Sequence, residues 1–376
     1  MELIILALLG FGAMFAFDRD EDDADALLDP PQEPEAEEPP VVAQDPAPDA
    51  ADELAIIEER ADGLTIFEED EDGYNVIQGT EDDDIVDAST FERDLDYEVR
   101  AGDGDDVVSR NSEDDAENRS RDTTNAFFGR IFGEEGNDLI DMEGRQSVDF
   151  FYKISGGIGD DTIISGDLTR VQGDAGDDLI IMGENSEPYT GLAFGGEGND
   201  TLVGSQTPQM FGEAGDDVLN IHHRSGINGI SSASGGAGND MINIATGLGD
   251  VFGVGEGLRV EGNDGSDTFT LDLSIVDDTN WESGSAVGST GIDIVDFNPN
   301  EDSLVIDVEA AVGEEDSTYE ARLFERSENV YGLVLAVIED DLAEGTRPRF
   351  TNFTIRTTGQ ITFDDIVFTD RVPLLT

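Results

Sequence analysis

The chain has 376 residues and no cysteine, which excludes a disulfide framework and any thiolate metal site. Histidine is almost as scarce. His222 and His223 are the only two, and neighbours on a strand point to opposite faces, so they do not form a paired ligand set by themselves. No His-Glu-x-x-His segment and no Gly-x-Ser-x-Gly elbow is present, so zinc-hydrolase and nucleophile-elbow chemistry have no carrier. Basic residues number 19 against 89 acidic ones, with Lys153 the single lysine, and the formal charge is -70. Nucleic acid is thereby excluded as a partner, because phosphates are neutralised by lysine and arginine patches. The content of 37% hydrophobic residues with one tryptophan suits a repeat fold better than a large conventional core.

Long apolar runs are missing too. Leu3 to Phe17 is 15 residues of apolar or small side chains, short of the roughly 20 that span a bilayer. It reads equally as a signal-peptide core, although Glu2 stands where a basic leader belongs, or as a short N-terminal membrane anchor. Either routes the chain out of the cytoplasm. Residues 18–60 follow as an acidic tether with Pro30, Pro31, Pro39, Pro40, Pro46 and Pro48, too polar to bury a core. Within it, Leu54 to Arg60 reads as one short helix. Asp70 to Gly73 starts like an EF-hand loop, but the twelve-position pattern does not continue.

What the chain has in plenty is glycine followed by aspartate in one recurring order. Gly195 to Leu202 (GGEGNDTL) is matched in full by Gly156 to Ile163 and Gly235 to Ile242. Gly133 to Ile140, Gly173 to Ile180 and Gly212 to Leu219 lose only the second glycine. Gly79 to Val86, Ala101 to Val108 and Gly262 to Phe269 are weaker copies. Glycine lets a short loop curl its carbonyls toward one point, and aspartate adds a charged oxygen. Carbonyls with carboxylates are what a hard cation such as calcium takes, about six to eight oxygens at a time. Acidity alone has a simpler explanation in solubility or adaptation to salt, yet that does not explain the register of the loop aspartates.

The spacing says how the loops stack. Asp84, Asp106, Asp138, Asp161, Asp178, Asp200, Asp217, Asp240 and Asp267 are separated by 22, 32, 23, 17, 22, 17, 23 and 27 residues. A tandem nonapeptide would step by nine, so each loop starts a whole coil, with a degenerate turn on the opposite edge. Leu202, Ile163, Ile180, Leu219 and Ile242 supply inward side chains of the strand after each loop. A polar or glycine break follows, and another apolar position precedes the next glycine, as at Val171, Phe194, Phe211 and Val260. The 32-residue step holds Ser109 to Ala126, a polar segment that reads as a loop bulging from the stack.

The pattern Gly-Gly-x-Gly-x-Asp-x-apolar-x resembles the hemolysin-type calcium-binding repeat of the RTX (repeats-in-toxin) family over roughly residues 74 to 275. The resemblance implies an all-β fold: a parallel β-roll, the calcium-binding RTX solenoid, here over 61–275. It also implies several calcium ions between stacked loops, ligated by the second, fourth and sixth residues of one loop and the first, third and sixth of its neighbour. Carried over, the sixth position gives Asp84, Asp106, Asp138, Asp161, Asp178, Asp200, Asp217, Asp240 and Asp267 as metal-binding residues. Asp82 replaces the fourth-position glycine of the first copy, Ala101 the first of the second copy, and Asn263 the second of the ninth.

After Phe269 the glycine loops stop. Ile292 to Val308 and the alternating runs at 318–325, 330–338, 350–356 and 361–368 predict a C-terminal antiparallel β-rich cap over 276–376. The expected function is a secreted or cell-surface calcium-binding protein, structural or adhesive, either free or held by its N-terminal hydrophobic segment to a membrane, with a cell-surface or matrix partner. The competing reading is an extracellular polysaccharide- or protein-degrading enzyme that carries an RTX module.

Overall fold

Alternation of side chains along short strands decides this architecture, because each strand has one face to bury and the chain returns to bury it again. The computed structural model describes residues 56–59, 64–69, 73–88, 96–109, 129–142, 152–165, 169–182, 191–205, 208–222, 230–247, 257–274, 292–307, 318–338, 350–369 and 374–375. The N-terminal hydrophobic segment 1–17, most of the acidic tether, the polar segment after Ser109 and His223 lie outside them.

The chain opens with β1 (Ile56–Glu59) and β2 (Thr65–Glu69), which pair antiparallel, and β2 pairs antiparallel with β3 (Asn75–Gln78). The short helix expected over 54–60 is therefore a strand: Ile56 and Ile57 are β-branched, and an available sheet edge outweighs a weak helical propensity. From β3 onward the chain winds in turns of two strands. The pairs are β3 with β4 (Ile85–Asp87), β5 (Tyr97–Asp103) with β6 (Val107–Ser109), and β7 (Gly129–Glu135) with β8 (Leu139–Asp141). They continue as β9 (Tyr152–Ile158) with β10 (Thr162–Ser165), β11 (Thr169–Ala175) with β12 (Leu179–Met182), and β13 (Leu192–Glu197) with β14 (Thr201–Ser205). Then come β15 (Gln209–Ala214) with β16 (Val218–His222), β17 (Ile230–Ala237) with β18 (Met241–Gly247), and β19 (Gly257–Asp264) with β20 (Thr268–Ser274). In each turn the first strand joins one parallel sheet, the second joins the other, and the glycine–aspartate loop links them. All nine loops therefore lie on one edge, as the spacing predicts.

The core is two facing columns. One runs Ile77, Val99, Ile131, Ile154, Val171, Ala193, Met210, Ala233 and Val260, the other Val86, Val108, Ile140, Ile163, Ile180, Leu202, Leu219, Ile242 and Phe269, all 0–1% exposed. Burying each aliphatic side chain contributes about 1.5–3 kcal/mol. The five inward residues expected after the loops are all in place. Of the four apolar residues named before the loops, Val171 and Val260 are inside, whereas Phe194 and Phe211 face outward and stack with ring centroids 5.0 Å apart. The period of two explains this. Val171 lies two residues before its glycine, but the phenylalanines lie one before theirs, so Ala193 and Met210 take the inward place.

Parallel pairing does not stop at residue 275. β21 (Ile292–Phe297) pairs parallel with β19, and β22 (Ser303–Asp307) pairs parallel with β20. A further turn made by β25 (Phe350–Thr357) and β26 (Ile366–Phe368) stacks in parallel on these two. The antiparallel cap is confined to β23 (Thr318–Ser327), β24 (Val330–Ile338) and β25, with β27 (Leu374–Leu375) beside β23. The segment expected to begin a separate cap thus adds two more turns to the roll. Its sequence hides this because Ile294, Phe297, Leu304 and Ile306 bury as roll residues do, while the loop between them, residues 298–302, lacks glycine.

Candidate functional site

Each loop bends sharply enough that its backbone must enter conformations closed to most residues. The fourth-position glycines Gly136, Gly159, Gly176, Gly198, Gly215 and Gly238 have φ between 133° and 145°. They also stack without room for a side chain: a Cβ on Gly198 would lie 2.0 Å from the Gly176 carbonyl oxygen, and one on Gly176 2.0 Å from that of Gly159. The second position alternates. Glycine holds it at 157, 196 and 236, and Glu134, Asp174, Glu213 and Asn263 hold it between, at φ 71–79°. The Asp174 carboxylate accepts a short hydrogen bond from the Ser155 hydroxyl.

The nine sequence-predicted aspartates form one continuous ladder. Each after Asp84 accepts, on Oδ1, the backbone N–H of the aspartate one turn earlier: Asp84 donates to Asp106 at 2.7 Å, and the series runs through 138, 161, 178, 200, 217, 240 and 267 at 2.8–2.9 Å. All nine are buried, eight of them 1–2% exposed. The ladder has a tenth rung that sequence reasoning missed, since the Asp267 N–H donates to Asp302 Oδ1 at 3.0 Å. Asp302 stands before Ser303, Leu304, Val305 and Ile306 much as Asp178 stands before Leu179, Ile180 and Ile181. That aspartate-then-alternating-apolar signal was available without the glycines.

A second ladder, also missed, runs the other way along the solvent side. Each fifth-position residue receives on its side chain the N–H from the following turn: Asp105 donates to Asp83, Asn137 to Asp105, Asp160 to Asn137 and Asp177 to Asp160, at 2.7–3.0 Å. Asn199, Asp216, Asn239 and Ser266 continue it at 2.7–3.1 Å. The Asp–Asp pairs in the loops are thus a structural rung beside a buried one.

Only one oxygen of each buried carboxylate is satisfied by its ladder. Oδ2 of Asp106, Asp138, Asp161, Asp178, Asp200, Asp217 and Asp240 is sealed from solvent and has no hydrogen-bond partner. A buried charged oxygen costs several kcal/mol unless it is paired or coordinated. Except in the second loop, which begins with Ala101, each faces the first glycine of its own loop. A Cβ on Gly173 would sit 2.1 Å from Asp178 Oδ2 and 2.6 Å from the Gly195 carbonyl oxygen of the next turn. The space kept open by that glycine is therefore lined by carboxylate and carbonyl oxygen. Among the described residues no three His, Cys, Asp or Glu side chains converge, so a cation here would be held by carbonyls together with these aspartates. An all-oxygen donor set of this kind fits a hard cation.

Burial pushes these carboxyls up, opposed by the backbone N–H each accepts and reinforced by neighbouring aspartates. Asp178 is raised to about 8, Asp161 and Asp217 to about 7, and Asp106, Asp200, Asp240 and Asp267 to about 6, against an ordinary 3.8, and Asp138 is raised as well. A carboxyl whose pKa is higher folded than unfolded makes the folded chain bind more protons between those values. Without a cation, stability therefore falls as pH rises from about 4 through about 8. In chelator, the urea midpoint should be higher at pH 5 than at pH 8, and a midpoint that rises with pH would contradict this burial.

The chain matches none of the protein-family models and none of the curated proteins with which it was compared.

Proposed function

We propose that the loop edge binds calcium, and that the protein is a calcium-folded structural or adhesive module working outside the cytoplasm. The observation that carries this reading is the row of seven buried, unpartnered Oδ2 atoms, those of Asp138, Asp161, Asp178, Asp200 and Asp217 beside a backbone carbonyl of the next turn. One such atom would be a local defect. Seven in register are a repeated demand for positive charge, in a chain with 19 basic residues to meet 89 acidic ones. Among the described residues of the nine-loop region, Arg100, Arg130, Lys153, Arg170 and Arg259 are the only basic side chains, and they sit on the strands before the loops, not in the loops.

A bound cation supplies the countercharge between turns. The residues do the rest: the aspartates hold the register through Oδ1, the fourth-position glycines let carbonyls of successive turns approach, and the inward columns keep water out. With a dissociation constant of about 0.1 mM and about 1 mM calcium, each ion contributes roughly 1.4 kcal/mol. Several together approach the stability of an ordinary domain. Low calcium inside a cell leaves such a chain extended, and higher calcium outside folds it. The resemblance to the RTX family supports the same reading, with its implication of export and surface display.

The test is circular dichroism with calorimetry on the full chain, adding calcium to chelator-treated protein with magnesium as control. A cooperative gain of β signal with heat from several ions is expected for calcium and not for magnesium. A chain equally folded in chelator that takes up no calcium would overturn the proposal.

A further inference from the structure

We infer that the cation row is bounded at both ends and leaves out the first loop, because that loop and the turns after the ninth are closed by the chain itself. This rests on the calcium reading of the loop edge and adds which loops take part.

The first loop departs from the others at two positions, Thr80 and Asp82, and both departures act on one oxygen. The Thr80 backbone N–H donates to Asp84 Oδ2 at 2.6 Å and the Thr80 hydroxyl donates to it at 2.9 Å. The hydroxyl in turn accepts the Asp82 N–H at 3.1 Å. The loop has folded onto its own carboxylate, and the oxygen that is free in the next seven loops is doubly occupied here. Asp84 is also less enclosed, at 7% exposure.

At the other end the closure comes after the ninth loop, which itself keeps Gly265 at φ +151° and has Asp267 Oδ2 facing Gly262 as in the inner loops. Asp296, on β21, accepts the N–H of Gly262 at 3.1 Å and of Asn263 at 2.8 Å, one on each oxygen. Beyond it the last rung ends on Asp302, whose Oδ2 accepts the Asn298 N–H at 2.7 Å. The final turn repeats the device, with the Thr362 N–H and hydroxyl on Asp365 Oδ2 at 2.7 and 2.9 Å. Three different turns, none with a fourth-position glycine, satisfy the same carboxylate oxygen that the seven inner loops leave bare. The glycine is the switch. Its left-handed backbone opens the loop, and a residue that cannot adopt it lets the turn collapse onto its own aspartate.

The second loop belongs to the open set. Ala101 takes its first position, yet Asp106 Oδ2 is sealed and unpartnered, so loss of that glycine does not close it.

The experiment is native mass spectrometry of the full chain in calcium with excess magnesium to displace weakly held surface ions. At most eight calcium ions are expected for the wild-type protein. Asp84→Asn should leave that count unchanged, whereas Asp106→Asn should lower it. Reopening the first loop with Thr80→Gly and Asp82→Gly together should raise it by one. A wild-type count of nine, or a fall in count for Asp84→Asn, would overturn the bounded row while leaving calcium binding intact. A count of zero with folded protein would instead remove the reading on which it rests.

Discussion

Gly198→Ala should unfold the central roll even in saturating calcium. The new Cβ would lie 2.0 Å from the Gly176 oxygen and 2.6 Å from its carbonyl carbon, both backbone atoms of the turn beneath. Neither can rotate away. Backbone at φ +133° adds strain for any residue with a Cβ. Together these cost at least about 3 kcal/mol, at the severe end for a single substitution. Gly73→Ala is the control that separates the two causes: its φ is +89°, but nothing lies within 4 Å of the added atom. It should cost no more than about 1–2 kcal/mol, the strain alone. Denaturation midpoints of both variants in excess calcium check this, and equal losses would mean that strain, not the stacking of carbonyls, is what the fourth position avoids.

Asp178→Asn should change sign with calcium. The amide keeps an acceptor for the Asp161 N–H, now received by Asp178 Oδ1 at 2.8 Å, and places a donor near the Gly195 carbonyl oxygen. In chelator at pH 8 the substitution removes a buried charge and should stabilise the chain by about 1–3 kcal/mol. In calcium it removes the charged ligand shared by two turns and should destabilise by a similar amount. Urea titrations with and without calcium measure both. Destabilisation in both conditions would show that the aspartate is needed for its shape alone.

Much of this was legible in the sequence, and the limits have physical reasons. The nine loop aspartates announce themselves because glycine at fixed offsets is expensive unless the backbone needs it, and their spacing places them on one edge. Asp302 and the turns through Phe368 were hidden because they close on themselves with Asn298 and Thr362, which any polar loop could contain. Periodicity in Ile294, Leu304 and Ile306 fits parallel and antiparallel strands alike, so it could not assign their partners. An apolar residue before the glycine does not by itself tell its direction: Phe194 and Phe211 stand one residue nearer the glycine than Val171, and in a strand one residue exchanges inside for outside. The fifth-position ladder had no signal of its own. Asp, Asn and Ser share the ability to accept one N–H, and they look like three unrelated residues until the turns are stacked.

The unequal steps between rungs have a consequence for how this chain tolerates change. Successive aspartates are 17 residues apart at Asp161 to Asp178 and 35 apart at Asp267 to Asp302, yet the rungs keep hydrogen bonds of 2.8 and 3.0 Å. The extra residues fall in the sequence between the second strand of one turn and the first strand of the next. Those links are a free margin: length can be gained or lost there by insertion and deletion without disturbing the register of the row of aspartates. The molecule behaves like a bound book, with the spine fixed by its aspartates and the pages cut to different widths, and foreign peptide grafted into the outer margin would be displayed at intervals set by the spine.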